Sequence, residues 1–152
     1  MNYRQDEKLT TLAEKVREKF HGNRLDGITI LYLFQDEPPK VDGREVVTQT
    51  TKPQALATFL IQEAFGIEAD FLIRVDEEEF NAGNASFQKA VMDHALAFCD
   101  VTKNSEGDAI PKIRRADVVE FREVVKRQGA YNARLREFVQ ECQQLKLPLA
   151  AA

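Results

Sequence analysis

Tryptophan is absent from this 152-residue chain, and cysteine and histidine occur only twice each. Cys99 and Cys142 both sit in helical apolar patterns, so a reduced, buried pair is expected rather than a disulfide. No long apolar run exists. The longest, Ile28-Thr-Ile-Leu-Tyr-Leu-Phe34, is far too short to span a bilayer, and the first eight residues carry no apolar signal region. No membrane contact and a cytoplasmic location are therefore expected. A glycine-rich phosphate loop, a Gly-x-Ser-x-Gly turn and a Cys-x-x-Cys pair are also missing, which removes three common catalytic constellations. The net charge of −4 speaks against a general nucleic-acid binder and is too small for a DNA mimic.

What is present is a length sufficient for one domain with a real core, and ten phenylalanines to fill it. Leu9, Leu12, Ala13, Val16 and Phe20 recur at helical spacing and predict an amphipathic helix over residues 5–20. Gly22 or Asn23 is expected to end it in the left-handed conformation. Residues 28–34 read as a strand covered on both faces. Asp42-Gly43 is a hairpin signal, so residues 28–51 are expected to form an antiparallel hairpin with a long arm.

Pro53 suits the first position of a second helix, buried through Leu56, Phe59, Leu60 and Ala64 and ended by Gly66. Residues 69–75 predict a third strand. Asp76, Glu77, Glu78 and Glu79 read as a solvated acidic turn, with docking of a basic partner as the sharper alternative. Residues 85–101 predict a central helix with Phe87, Val91, His94 and Phe98 on one stripe and Met92, Ala95, Leu96 and Cys99 on another. Residues 104–108 read as a loop, with Pro111 keeping the chain extended after it. Asp117-Val-Val-Glu120 has capping-box spacing and predicts a helix burying Val118, Phe121 and Val125, broken at Gln128-Gly129. A last helix over about 131–146 would bury Leu135, Phe138, Val139 and Cys142, and Leu149 to Ala152 read as a frayed end. The basic pairs Arg114-Arg115 and Lys126-Arg127 read as plain surface. The sum is an α+β domain: a small three-stranded, mainly antiparallel sheet with helices packed mostly on one side and two C-terminal helices.

The most informative stretch is Ala90-Val-Met-Asp-His-Ala-Leu-Ala-Phe-Cys99. A zinc-protease helix carries His-Glu-x-x-His, in which two imidazoles one turn apart hold zinc and the glutamate activates the bound water. In that frame His94 is the first histidine, Ala95 stands in the glutamate's place and Phe98 in that of the second histidine.

Four pieces in order resemble the phage metallopeptidase family, small zincin-like domains. They are Ile30-Leu-Tyr-Leu-Phe-Gln-Asp36, Phe71-Leu-Ile-Arg-Val75, Met92-Asp-His-Ala-Leu-Ala-Phe98 and Arg115-Ala-Asp-Val-Val-Glu-Phe121. The resemblance covers most of residues 25–130. It implies a single zincin-like domain over 1–152, with an N-terminal helix over 5–20, a family-like core over 27–130 and a C-terminal helix over 131–146. It also implies that Ala116 stands where the family has a downstream histidine. Catalytic zinc needs three protein ligands, and here only His94 remains of the set. His21 lies outside the matching region. Cys99 is turned away from His94 on a helix, and Asp93 and Asp117 lie beside the family ligand positions.

The expectation is therefore a catalytically inactive, metallopeptidase-like phage or prophage protein that binds an unidentified host or phage protein. It would have no catalytic residues, no metal ligands and no cofactor. His94, Ala95, Phe98 and Ala116 would be vestigial positions, His94 serving as a core or pocket-edge histidine and Phe98 as filling for the old zinc cavity. Two alternatives stand beside it: a divergent zinc metallopeptidase with Asp or Cys ligands, and an acidic anti-restriction protein linked to nucleic-acid processes.

Overall fold

Six consecutive buried residues, Ile30–Gln35, form the spine of the structure, a computed structural model that describes residues 1–145. In chain order the elements begin with β1 (Tyr3–Arg4), α1 (Glu7–His21), β2 (Ile30–Gln35), β3 (Lys40–Val41), β4 (Arg44–Glu45) and β5 (Thr48–Thr51). Next come α2 (Ala55–Phe65), β6 (Phe71–Asp76), α3 (Glu77–Ala82) and α4 (Ala85–Ala97). β7 (Cys99–Lys103), β8 (Ala109–Ile113), α5 (Arg122–Gln128) and α6 (Ala133–Gln144) complete the described residues. Two compact units result, Met1–Arg114 and a second that begins at Arg115.

The first unit is built on a four-stranded sheet of order β1-β2-β6-β5. β2 runs parallel to β6, pairing Ile30 with Phe71 through Gln35 with Asp76, while β1 and β5 are antiparallel edges. The expected three-stranded sheet is thus four-stranded and mixed. The long hairpin over 28–51 does not form, because β2 takes β6 as its neighbour. The Asp42-Gly43 signal makes only the short β3–β4 hairpin, with φ of 50° and 76° at the two turn residues.

Alternation along β2 and β6 explains the core. Ile30, Tyr32, Phe34, Phe71, Ile73 and Val75 face α1, α3 and α4 in the larger cluster. Leu31 and Leu33 face the other way, onto Ile61 of α2, with Phe65, Ile67 and Leu72 at the edge. Coverage of β2 on both faces is as its apolar run predicts. Of the phenylalanines, Phe34, Phe71 and Phe80 enter the core, whereas Phe20, Phe59, Phe121 and Phe138 are exposed.

Helix α1 starts where Asp6 accepts a hydrogen bond from the Leu9 amide, a side-chain N-cap, and buries Leu9, Ala13 and Val16. Gly22 stays right-handed with φ −56°, and the positive φ falls at Gly27 instead. Helix α2 reverses its expected faces. Leu56, Phe59 and Leu60 are exposed, as is Ala64, and Ile61 is the buried residue, because contact with the sheet falls about one residue further along the helix. Its first residue is Ala55, two after Pro53, and Gly66 ends it with φ 69° as anticipated. Helix α4 is shorter than expected. Residues 99–101 leave it for β7, which pairs with β8 around the Asn104 turn.

In the second unit the capping box fails. Glu120 accepts from the Tyr131 hydroxyl and the Phe121 amide, which hold its carboxyl below the usual carboxylate range, and α5 starts only at Arg122. Phe121 and Val125 are exposed and Val118 is half-buried. Gly129 stops α5, as its position suggests. In α6 only Leu135 is buried; Phe138, Val139 and Cys142 are exposed. The expected buried cysteine pair is therefore half right: both thiols are free, but only Cys99 is inside. The tail from Leu149 to Ala152 lies outside the described residues.

Candidate functional site

The motif helix α4 begins at Asn84, whose side chain accepts from the Phe87 amide, and lies against α1 on the larger core. Its sequence carries two potential apolar stripes, and only one is used. Met92, Ala95 and Leu96 are fully buried, with Cys99 just beyond the helix. His94 lies on the other stripe and is exposed. The expected core or pocket-edge histidine is thus a surface residue. Its ring meets that of half-buried Phe98 edge-on, with centroids 5.1 Å apart and planes at 89°. Phe98 occupies the position one turn on and offers a hydrocarbon edge in place of a lone pair.

Ala95 faces the core with 0% exposure, in the same cluster as Tyr32, Phe71 and Ile73. Its carbonyl accepts from the Thr50 hydroxyl at 2.7 Å, which ties α4 to the edge strand β5. Position 95 therefore holds a small packing residue beneath the helix, and a carboxylate there would lie among apolar side chains. Ala116, in the second unit, is exposed in a stretch without regular structure.

The residues present do not fit a catalytic zinc. Ala95, Phe98 and Ala116 have no side-chain donor atoms, and among the described residues no three His, Cys, Asp or Glu side chains gather at metal-binding spacing. Cys99 is buried, and burial pushes its thiol up to about 12, away from the thiolate a metal requires.

A polar linkage that sequence spacing did not reveal sits at the junction of α1 and α4. His21 ends α1 and places Nε2 2.7 Å from Asp93 Oδ1. Its Nδ1 lies 2.6 Å from Arg24 Nη2. Guanidinium nitrogen only donates, so Nδ1 accepts and Nε2–H donates to Asp93; the two bonds together select that neutral tautomer. Arg24 also reaches the carbonyls of Leu96 and Cys99 at the C-terminus of α4, and its Nη1 lies 3.8 Å from Asp100. A cation there offsets the partial negative charge of the helix end. Asp93, weighed as a substitute metal ligand, is thus already engaged. Nothing in the local pattern of residues 21–24 could indicate contacts more than 70 positions away.

The acidic run is likewise structural at its start. Asp76 is only 6% exposed and caps α3 by accepting from the Glu78 amide, and Glu77 pairs with Arg4 of β1. Only Glu78 and Glu79 are exposed, which corrects the reading of all four as a solvated turn. No described helix is long and apolar enough to cross a membrane.

Compared with known proteins, the chain matches a family model described as putative phage metallopeptidase over residues 1–144. The match includes α1 and His21, which the motif resemblance had left outside, and all of α6. No curated protein and no solved structure matches.

Proposed function

The chain belongs to the putative phage metallopeptidase family, and from that premise we propose that it acts by binding a protein instead of hydrolysing one. The observation that carries this reading is the state of α4. On the motif resemblance the general-base position falls on Ala95, which is buried, and the second ligand position on Phe98, a phenyl ring packed edge-on to His94. Hydrolysis needs a held water and a proton acceptor within reach of it, and neither role has a side chain here. A binding role needs only the scaffold.

The contact region on this reading is the edge of the sheet beside the motif helix. Among the described residues β5 is paired on one side only, to β6, and its half-buried threonines sit next to α4 through the Thr50–Ala95 hydrogen bond. An unpaired strand edge is a template for an extended segment of a partner, whose main chain would add to the sheet. His94 and Phe98, the one exposed and the other half-buried, would supply an aromatic contact nearby.

The test is affinity capture from a bacterial lysate with the wild-type chain beside a Thr48→Lys/Thr51→Lys variant, which charges the edge without touching Thr50. The reading expects a protein retained by the first and lost by the second. Identical captures from both, or cleavage of the retained protein, would overturn it.

A further inference from the structure

A second surface, about a quarter turn around α4 from His94, has a character of its own. Between α1 and α4 lies a groove of about 400 Å³ with a floor of Leu12, Val16 and Ala90 and exposed Phe20 as one wall. Its rim carries Lys15, Lys19 and Lys89. The single carboxylate on it, Asp93, already accepts from His21.

The two depressions along α1 differ in charge. Glu14 and Glu18 line the other one together with Lys15, Arg17 and Asp26, so Lys15 borders both. Lys15 and Lys19 stand one turn apart, a like-charge spacing that is unfavourable on a helix. Lys89 adds a third positive charge from the facing helix. On a chain of net charge −4, this is a local excess of the opposite sign above an apolar floor. The Lys19 ammonium lies 5.1 Å from the centre of the Phe20 ring, so charge and apolar surface meet at the same wall.

We propose that this groove docks an acidic amphipathic helix of a partner protein. Its apolar side chains would lie over Leu12, Val16 and Phe20, and its flanking carboxylates would reach the three lysines. A helix fits because the groove runs between two helices, the ordinary seat for a third. An acidic one fits because each carboxylate relieves the repulsion among the lysines as it binds. This surface is separate from the β5 edge and does not depend on whether α4 retains chemistry.

The experiment uses the full chain and three fluorescent probes. One is a designed helix of about four turns with leucines along one face and glutamates on both flanks. The second has the same leucines with lysine flanks, and the third is a single-stranded oligothymidine, which carries charge without an apolar face. Anisotropy should give micromolar binding of the glutamate peptide alone. A Lys15→Glu/Lys19→Glu/Lys89→Glu variant should weaken it at least tenfold, and Phe20→Ala about fivefold, with circular dichroism unchanged. The Thr48→Lys/Thr51→Lys variant should bind the peptide as the wild type does, which separates this surface from the sheet edge. Should charge reversal disturb the fold, Lys89→Glu alone serves, with a smaller loss in the same direction. The proposal is overturned by the absence of saturation up to millimolar peptide, by equal binding of the lysine peptide or the oligothymidine, or by folded charge-reversed protein that binds like the wild type.

Discussion

Replacing Ala95 by glutamate puts back the side chain that a zinc-protease helix carries, and the structure predicts that this change harms the protein. Ala95 is 0% exposed and belongs to the main core cluster. Two costs follow. Overpacking of a filled core typically costs about 1–3 kcal/mol. The carboxyl, held in an apolar environment, would stay neutral when folded and ionise when unfolded. At pH 7, protonating a group whose unfolded pKa is about 4.3 costs about 3.7 kcal/mol, at 1.36 kcal/mol per pH unit. Together the loss is roughly 5–7 kcal/mol, comparable to the whole stability of an ordinary domain.

The sign distinguishes the two parts. A carboxyl whose pKa is raised by folding is tolerated below its unfolded pKa, and its penalty grows as pH rises. Urea unfolding followed by circular dichroism should therefore find Ala95→Glu strongly destabilised at pH 7, with most of the ionisation cost gone near pH 4.5. Ala95→Met, which adds bulk without charge, should lose about 1–3 kcal/mol at both pH values. If Ala95→Glu unfolds within about 1 kcal/mol of the wild type at pH 7, with no pH dependence of the difference, position 95 faces solvent and the account of α4 as a core helix fails.

Phe98→His should place a half-buried imidazole one turn from exposed His94, and isothermal titration should detect zinc binding that the wild type lacks, still without peptide cleavage; equal zinc affinity in the wild type would refute it. In the folded chain a thiol reagent should label Cys142 and spare Cys99, whose burial raises its pKa to about 12, and mass spectrometry should find both labelled only after denaturation. The Leu9 amide, opposed by desolvation and aided by Arg4, holds the Asp6 carboxyl below its ordinary value of about 3.9. Its stabilising effect is thus present above that value and lost as pH falls through the lower folded pKa. Asp6→Ala should cost about 1 kcal/mol at pH 7 and flatten the acid limb of stability, whereas Asp6→Asn should keep most of the cap and flatten the same limb.

The element order of the first unit was largely legible, because periodicity and punctuation are local. The apolar run of β2, the glycine stop of α2 and the Asn84 start of α4 all sit where short-range rules place them. Pairing was not legible. Asp42-Gly43 is a true turn signal, but a turn specifies only its own two flanks, and the partner of β2 is chosen by burial against β6 some 40 residues later. Faces were hard to assign wherever a helix carried two apolar stripes. α2 and α4 each had such a choice, and tertiary contact selected Ile61 over Leu60 and Ala95 over His94. The candidate positions, His94, Ala95 and Phe98, were legible by name through the spacing of the motif. The geometry around them was not legible, since the Arg24–His21–Asp93 linkage joins residues whose spacing carries no pattern.

Elemental analysis of protein purified without added metal, paired with a peptide-cleavage assay, bears most directly on the proposal that the chain binds a protein without hydrolysing it. The prediction is zinc well below one ion per chain and no cleavage that depends on His94. One tightly held zinc per chain, with cleavage abolished by His94→Ala, would contradict it.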